Sequence, residues 1–215
     1  MLAIKILVSL FFWIYLQVFI LLVFLLSYPL ALLPQRGRSV VYFLVKWILR
    51  LLFFVCFIRI KVLGKGTIPK SGQLIFICNH PALIEPLFII AYLPVRVRFI
   101  ADEPMLHFPL LGRVVRSLGA ISYPLDSKDK QKAFVFAYEY AQAMKNNDPV
   151  LFFSANMRNK EDKGLPIDPK LLEFINKQNG VVIPVTIKNI LKVAPADSMF
   201  IRPGKIEIVI GFTSR

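Results

Sequence analysis

The stretch "QLIFICNHPALIEPLF", residues Gln73 to Phe88, decides how this sequence is interpreted. Its first part is an uninterrupted apolar run, which predicts a buried strand over Gln73–Cys78. A histidine and a glutamate, His80 and Glu85, follow the run five positions apart. Glu85 is also the first acidic residue of the chain, although nine lysines and arginines precede it. Ligand sites in α/β proteins gather where strands end, and His80 falls at such a place.

Six further runs have the length and composition of strands, and between two of them lies a clear helix. The helix is predicted at Lys128–Asn146, capped by Asp126 or Ser127. Its apolar stripe is expected to be Phe134, Ala137, Ala141 and Met144. The further strands are Ile58–Leu63, Val97–Ala101, Ala120–Tyr123, Val150–Phe153, Val181–Lys188 and Lys205–Ile210. This alternation predicts an α/β domain over residues 58–215, with a mostly buried mixed sheet flanked by helices.

The first 57 residues differ in composition and predict membrane helices. No charged residue interrupts Ile6–Leu33, which is longer than the ~20 residues that a helix needs to cross a bilayer core. A cleaved signal peptide is the alternative, but its apolar region is usually only ~7–15 residues long and ends at a small-residue cleavage site, which is absent here. We therefore expect one transmembrane helix at residues 6–33. Arg36 and Arg38 beyond it, against Lys5 before it, place the α/β domain on the cytoplasmic face.

A second apolar segment, Val40 to Ile58, is interrupted by Lys46 and Arg50, one helical turn apart. Two cations on one face of an apolar helix favour a helix at residues 40–57 that lies in the headgroup layer, with their stems reaching lipid headgroups. A second spanning helix stays open as an alternative, since two charges near the middle of a span are costly but not prohibitive.

Composition narrows the possible partners. The formal net charge of +14 suits either nucleic acid or an anionic membrane. The positive mean hydropathy and the 19 phenylalanines favour the membrane, and no zinc-type cysteine spacing, aromatic RNA-binding pattern or Gly-rich phosphate loop supports a nucleic-acid partner. Cys56 and Cys78 both lie in apolar runs and are expected to be buried thiols. No metal or organic cofactor is expected, because no cluster of ligand residues has suitable spacing.

The pair His80 and Glu85 has two interpretations. A histidine can take a proton from an alcohol if a carboxylate holds the correct tautomer and stabilises the imidazolium that forms. Alternatively, His80 is an ordinary loop histidine and Glu85 complements the dipole of the following helix. The two residues taken alone leave both interpretations open.

The surrounding sequence favours the catalytic interpretation. "NHPALIEP" resembles the His-x4-Asp box of the glycerolipid acyltransferase superfamily, whose best-known members are the 1-acylglycerol-3-phosphate acyltransferases, although Glu85 stands where most members have Asp. The resemblance covers about residues 58 to 212. "VRFIADEPMLHFPLLGRVVRSLGAISYPLD" resembles the second block of that family, with Pro109, Gly112 and Gly119 in order. "VLFFSANMR" and "VVIPVTIKN" resemble the third and fourth blocks.

The resemblance implies a membrane-bound O-acyltransferase of the phospholipid biosynthesis type. His80 would be the general base, and Glu85 would orient it. A fatty acyl chain would pass from the thioester of acyl-CoA or acyl carrier protein, as co-substrate, to a lyso-phospholipid-like acceptor such as 1-acylglycerol-3-phosphate. In the same motifs, Asn79 and Arg158 are candidates for substrate binding. Arg116 and Lys128 are candidates from their position alone.

Departures from the family pattern concern the acceptor site. Leu125 stands where an arginine is usual, and Asp102 where a lysine is usual. Residues 154–157 replace the Pro-Glu-Gly-Thr of the third block. The alternative is therefore a catalytically inactive membrane protein of the same fold that acts as a lipid-binding or scaffold module.

Overall fold

One mixed seven-stranded sheet organises the computed structural model, which describes residues 2–30, 34–79, 84–124, 129–154, 180–195 and 198–211. Its elements in chain order are α1 (Leu2–Leu30), α2 (Pro34–Val55), β1 (Ile58–Leu63), β2 (Leu74–Asn79), α3 (Glu85–Tyr92), β3 (Arg98–Asp102), α4 (Glu103–Leu106), α5 (Leu111–Ser117), β4 (Ile121–Tyr123), α6 (Lys130–Lys145), β5 (Val150–Ser154), β6 (Val181–Lys188), α7 (Ile190–Val193) and β7 (Gly204–Ile210).

The strand order is β1-β7-β6-β2-β5-β3-β4. Strands β2 to β6 run parallel to one another, β7 is antiparallel to β6, and β1 is parallel to β7. The seven predicted strands and the α/β fold class are therefore confirmed, with each strand end within one residue of its prediction. Because β2 to β6 are parallel, the segments that follow them leave from one edge of the sheet, which we call the carboxyl edge.

The central strand β2 is buried along its whole length. Its side chains alternate between two cores, as the period of a strand requires. Ile75 and Ile77 pack on one face with residues of α6, whereas Phe76 and Cys78 pack on the other face with residues of α2 and α3. Cys78 and α3 therefore share one side of the sheet.

The packing of α6 corrects the predicted stripe. Phe134 is 71% exposed, and Ala137 and Ala141 are also exposed. The buried side instead carries Phe136, Tyr140, Ala143 and Met144, which have the i, i+4, i+7, i+8 spacing of a helix face. Apolar residues occur around most of this helix, so that its composition allowed more than one stripe. The cap also differs from the prediction, because Asp129 accepts a hydrogen bond from the Lys132 amide at 3.1 Å.

Helix α1 is apolar on all sides, and it is the one described helix long and apolar enough to cross a bilayer, over Lys5–Leu26. One side packs against α2 and α5, with buried Phe12, Leu16, Phe19 and Val23. The other side is an exposed apolar stripe, which we call the outer stripe: Leu7, Leu10, Ile14, Val18, Leu21 and Leu25.

Hydrogen bonds of Ser9 and Trp13 fasten α1 to the loop before β7. The Ile201 amide donates to Ser9 Oγ at 2.9 Å, and Trp13 Nε1 donates to the Met199 carbonyl at 2.8 Å. Ser9 is buried there. The first helix is thus joined to a segment close to the other end of the chain.

Lys46 and Arg50 of α2 do not point outward to lipid headgroups as predicted. Arg50 Nε donates to the Ala91 carbonyl at 2.8 Å, and Lys46 Nζ donates to the Leu93 carbonyl at 3.4 Å. These carbonyls lie at the C-terminal end of α3, where a helix leaves its last carbonyls without intrahelical donors and carries a partial negative charge. The two cations therefore hold α2 against α3, which positions the element that carries Glu85.

Candidate active site

The family-like blocks converge on the carboxyl edge of the sheet. Asn79 ends β2, Asp102 ends β3, Tyr123 ends β4 and Ser154 ends β5. His80 follows Asn79 directly in the chain, while Lys128 and Arg158 come after β4 and β5. These three residues lie outside the described part of the structure. The described residues form the strand ends that these three residues follow in the chain.

Asn79 extends the pairing of β2 with β6 beyond the regular ladder. That ladder reaches Cys78, which stands opposite Val185. Asn79 Oδ1 then accepts from the Ile187 amide at 2.8 Å, and Asn79 Nδ2 donates to the Ile187 carbonyl at 3.3 Å. The side chain is only 8% exposed. Its amide therefore satisfies both backbone groups of one β6 residue and fixes the end of β2 immediately before His80.

Glu85 is the first residue of α3, and it is fully buried, with 0% of its surface exposed. The helix begins here because Pro86 occupies its first turn, where a missing N–H costs nothing. An acid that only complements a helix dipole can stay in water, whereas burying a carboxylate is costly unless protein groups compensate it. Complete burial thus favours a carboxylate with a specific role inside the protein.

The Cys78 thiol lies on the same side of the sheet as Glu85. Burial raises the pKa of this thiol well above its usual range, and the nearby Glu85 carboxylate raises it further. Cys78 therefore stays protonated at neutral pH, which argues against a role as a nucleophile because the thiolate is the reactive form. Its Sγ lies 3.9 Å from Asn79 Oδ1. Both cysteines are free and buried, as predicted.

Two positions of the second block require glycine for steric or conformational reasons. A Cβ on Gly112 would overlap the carbonyl group of Leu106, so that only glycine lets α5 lie this close to α4. Gly119 has φ +90, a conformation that favours glycine over other residues. The second block therefore sets the path of the chain from β3 to β4.

Arg116 lies on α5 and lines a cleft of about 580 Å³ between α5 and α1. Arg113, one turn earlier, lines the same cleft, and its guanidinium lies 5.1 Å from the ring centre of Phe24 on α1. His107 is also at the cleft; it is 66% exposed and lies 3.6 Å from Glu103.

Comparison with known proteins shows the family to which the chain belongs. The family model for acyltransferases matches residues 59–188, which is more than half of the sequence. The chain belongs to the acyltransferase family. The prediction that the chain is related to the acyltransferases is thereby confirmed.

Two relatives agree with this assignment. A 1-acyl-sn-glycerol-3-phosphate acyltransferase from Cocos nucifera is 24% identical over 141 residues, which cover 61% of this chain and 45% of that protein. The chain thus matches less than half the length of the coconut enzyme. The crystal structure of the 1-acyl-sn-glycerophosphate (LPA) acyltransferase PlsC from Thermotoga maritima has a TM-score of 0.79 and 22% identity, covering 98% of this chain and 85% of that one. The shared fold therefore includes the two N-terminal helices.

Two features of this region could not be predicted from the sequence. The bond between Asn79 and Ile187 joins residues 108 positions apart, and nothing in the local pattern indicates it. Phe24 is one of many apolar residues in α1, and only the packing of α1 on α5 brings it to the cleft with Arg113.

Proposed function

We propose that this acyltransferase moves a fatty acyl chain from acyl-CoA or acyl carrier protein to a hydroxyl group of a lyso-phospholipid-like acceptor at the membrane. The family membership and the position of the histidine–glutamate box at the end of the central strand support this proposal. The observation that carries it is the complete burial of Glu85, five residues after the candidate base.

In the proposed reaction, His80 takes the proton of the acceptor hydroxyl while the oxygen attacks the thioester carbonyl. The tetrahedral intermediate collapses, the carbon–sulfur bond breaks, and the imidazolium returns its proton to the departing thiolate. Glu85 would hold the imidazole in the correct tautomer and stabilise its charged form. No covalent acyl-enzyme is required, which agrees with the protonated state of Cys78.

Asn79 receives a different role from the one that the motif suggests. Its side-chain amide is occupied by Ile187, so we assign it the positioning of the residue that follows, rather than contact with the substrate. Arg158, Lys128 and Arg116 stay candidates for the acceptor's anionic head. Asp102 and Leu125 replace the basic residues that are usual in the family, so this part of the acceptor site differs from the family pattern.

The packing of α1 favours a helix that lies along one leaflet. Between Ser9 and Phe24, about 22 Å at ~1.5 Å per residue, one side of α1 is held by protein. A charged domain bound along that length cannot enter the ~30 Å hydrocarbon core. We propose that α1 lies at the boundary with its outer stripe in lipid and the α/β domain on the cytoplasmic side. Accessibility of tags at both ends of the chain tests this, because a crossing helix puts them on opposite sides and a helix in one leaflet does not.

The test of the activity uses purified full-length protein with acyl-CoA or acyl carrier protein thioesters and a panel of lyso-lipids, with release of free thiol as the readout. His80→Ala is expected to lower kcat by about 10²–10⁴-fold, and Glu85→Gln to lower it in the same direction. Glu85→Asp should retain more activity than Glu85→Gln because it keeps a carboxylate. Glu139→Gln on α6 serves as the matched control.

Two joint outcomes would contradict the proposal. If no acceptor stimulates thiol release from either thioester, and His80→Ala still complements an acyltransferase-deficient strain as well as the natural sequence does, then the protein is a lipid-binding or scaffold module of the same fold.

A further inference from the structure

The cleft between α5 and the C-terminal half of α1 combines cationic and apolar walls. Arg113 and Arg116 are exposed and stand one helical turn apart on the same face of α5. The other walls are largely apolar. The complete lining consists of Phe24, Leu106, His107, Phe108, Pro109, Leu110, Arg113 and Arg116.

The described residues that line the cleft include cationic side chains but no acidic ones. Glu103, at the start of α4, has its Oε1 2.9 Å from Lys132 Nζ of α6 and 3.6 Å from Nε2 of His107, which lines the cleft. Its carboxylate is therefore compensated locally, and the two arginines remain to meet an anion that enters the cleft.

The wall of the cleft also contains a strained residue. Leu110 has φ 59 and ψ −61, in a tight turn in which the Leu111 amide donates to the Pro109 carbonyl at 2.6 Å. Such γ-turns are rare and strained for a residue with a side chain. Strained backbone gathers at functional sites, where the surrounding structure maintains it.

The cleft borders the outer stripe of α1. Phe24, which forms one wall, is followed by Leu25 and Leu26, and both are exposed. A molecule with an acyl chain along this stripe would place a headgroup of suitable length beside the guanidinium groups of α5.

We propose that this cleft binds the glycerol phosphate head of a membrane lipid whose acyl chain lies along α1. The proposal rests on the membrane position of α1 proposed above. Arg113 and Arg116 contact the phosphate oxygens, and Phe24 and Phe108 contact the first methylene groups. The lipid comes from one of two sources, the lyso-lipid acceptor on its way to the carboxyl edge or an anionic diacyl lipid of the leaflet.

The experiment measures binding and requires no turnover. Full-length protein in neutral detergent micelles is titrated calorimetrically with dihexanoyl phosphatidic acid, hexanoyl lysophosphatidic acid, dihexanoyl phosphatidylcholine and inorganic phosphate. The double variant Arg113→Gln/Arg116→Gln is expected to weaken binding of the two anionic lipids by about 25-fold, since each cation near an anionic head contributes about fivefold. Whichever of the two binds more tightly identifies the source.

Matched variants make the result specific. Lys70→Gln/Lys145→Gln removes the same charge from exposed residues that precede β2 and β5 at the opposite edge of the sheet, and it should change the affinity less than about twofold. Phe24→Ala should weaken the lipids but not inorganic phosphate. Melting curves confirm that each variant is folded.

Two results would overturn the proposal: equal weakening by both double variants, or no weakening by the arginine variant. Acyl carrier protein is titrated in parallel; if the arginine variant keeps its affinity for the lipids and loses only binding of this protein, the cleft is a carrier-docking surface and the lipid proposal fails. If the natural sequence binds these lipids but shows no turnover, the enzymatic proposal is refuted and this one stands. His80 is not among the described residues that line the cleft, so His80→Ala should bind the lipids like the natural sequence.

Discussion

Replacing Asn79 by alanine should loosen the join between β2 and β6. The change leaves the buried amide and carbonyl of Ile187 without the partners that they have at 2.8 and 3.3 Å. Each abandoned buried group costs about 1–3 kcal/mol, so for the two groups we expect a loss of about 2–6 kcal/mol in the free energy of unfolding. For a chain of this size that is roughly 4–24 °C in Tm.

The same variant should lower kcat more than it raises KM for the acceptor, because the side chain acts through the position of His80 and does not contact substrate. Melting in detergent and steady-state kinetics measure the two effects. Asn79→Asp keeps the acceptor for the Ile187 amide but turns a second oxygen to the Ile187 carbonyl, so it should fall between alanine and the natural residue. Asn146→Ala, at the exposed end of α6, is the control.

A contrary result is easily recognised. If Asn79→Ala melts within a degree or so of the natural protein and raises KM with kcat unchanged, the amide is a substrate ligand, and the positioning role is refuted.

Three further predictions concern other parts of the molecule. Gly112→Ala should push α5 away from α4 and lower the free energy of unfolding by about 1–3 kcal/mol in urea titrations, whereas Gly66→Ala, whose new methyl group meets no atom within 4 Å, should have little effect. Trp13→Phe removes one of the hydrogen bonds between α1 and the loop before β7, the bond to the Met199 carbonyl, and should speed amide hydrogen exchange in that loop. Burial raises the pKa of Cys56 to about 11 and also raises that of Cys78. The unfolded chain therefore releases these thiol protons first, stability should fall as the pH rises above about 9, and replacing both cysteines by alanine should flatten this slope in denaturation curves at pH 8 and 10.

The strands were predictable because each one is an apolar run of suitable length between turn residues, and β2 in particular is buried on both faces. The side of α6 was not, because both Phe134 and Phe136 begin a run with helical spacing. Only contact with the sheet selects Phe136. The spacing of apolar residues therefore predicted helix α6 but not which of its faces is buried.

The candidate site also has features that the sequence predicted and features that it did not. The position of Glu85 after a buried strand left its role open, and the resemblance of the surrounding motif made it a functional candidate. Its complete burial agrees with that choice. The hydrogen bonds of the Arg50 and Asn79 side chains were not predictable. Their partners are backbone groups of Ala91 and Ile187, which lie far along the chain. Backbone groups carry no signal in the amino-acid pattern.

The attachment of α1 to residues 199–201 has a consequence for biosynthesis. Ser9 and Ile201 are 192 positions apart, so α1 leaves the ribosome well before its partner loop has been translated. During that interval α1 can already pack on α2 and α5, whereas Ser9 and Trp13 still lack their partners in the loop. Attachment of α1 to the finished domain is therefore complete only after residues 199–201 have been translated, and chains truncated before residue 199 should hold α1 less firmly.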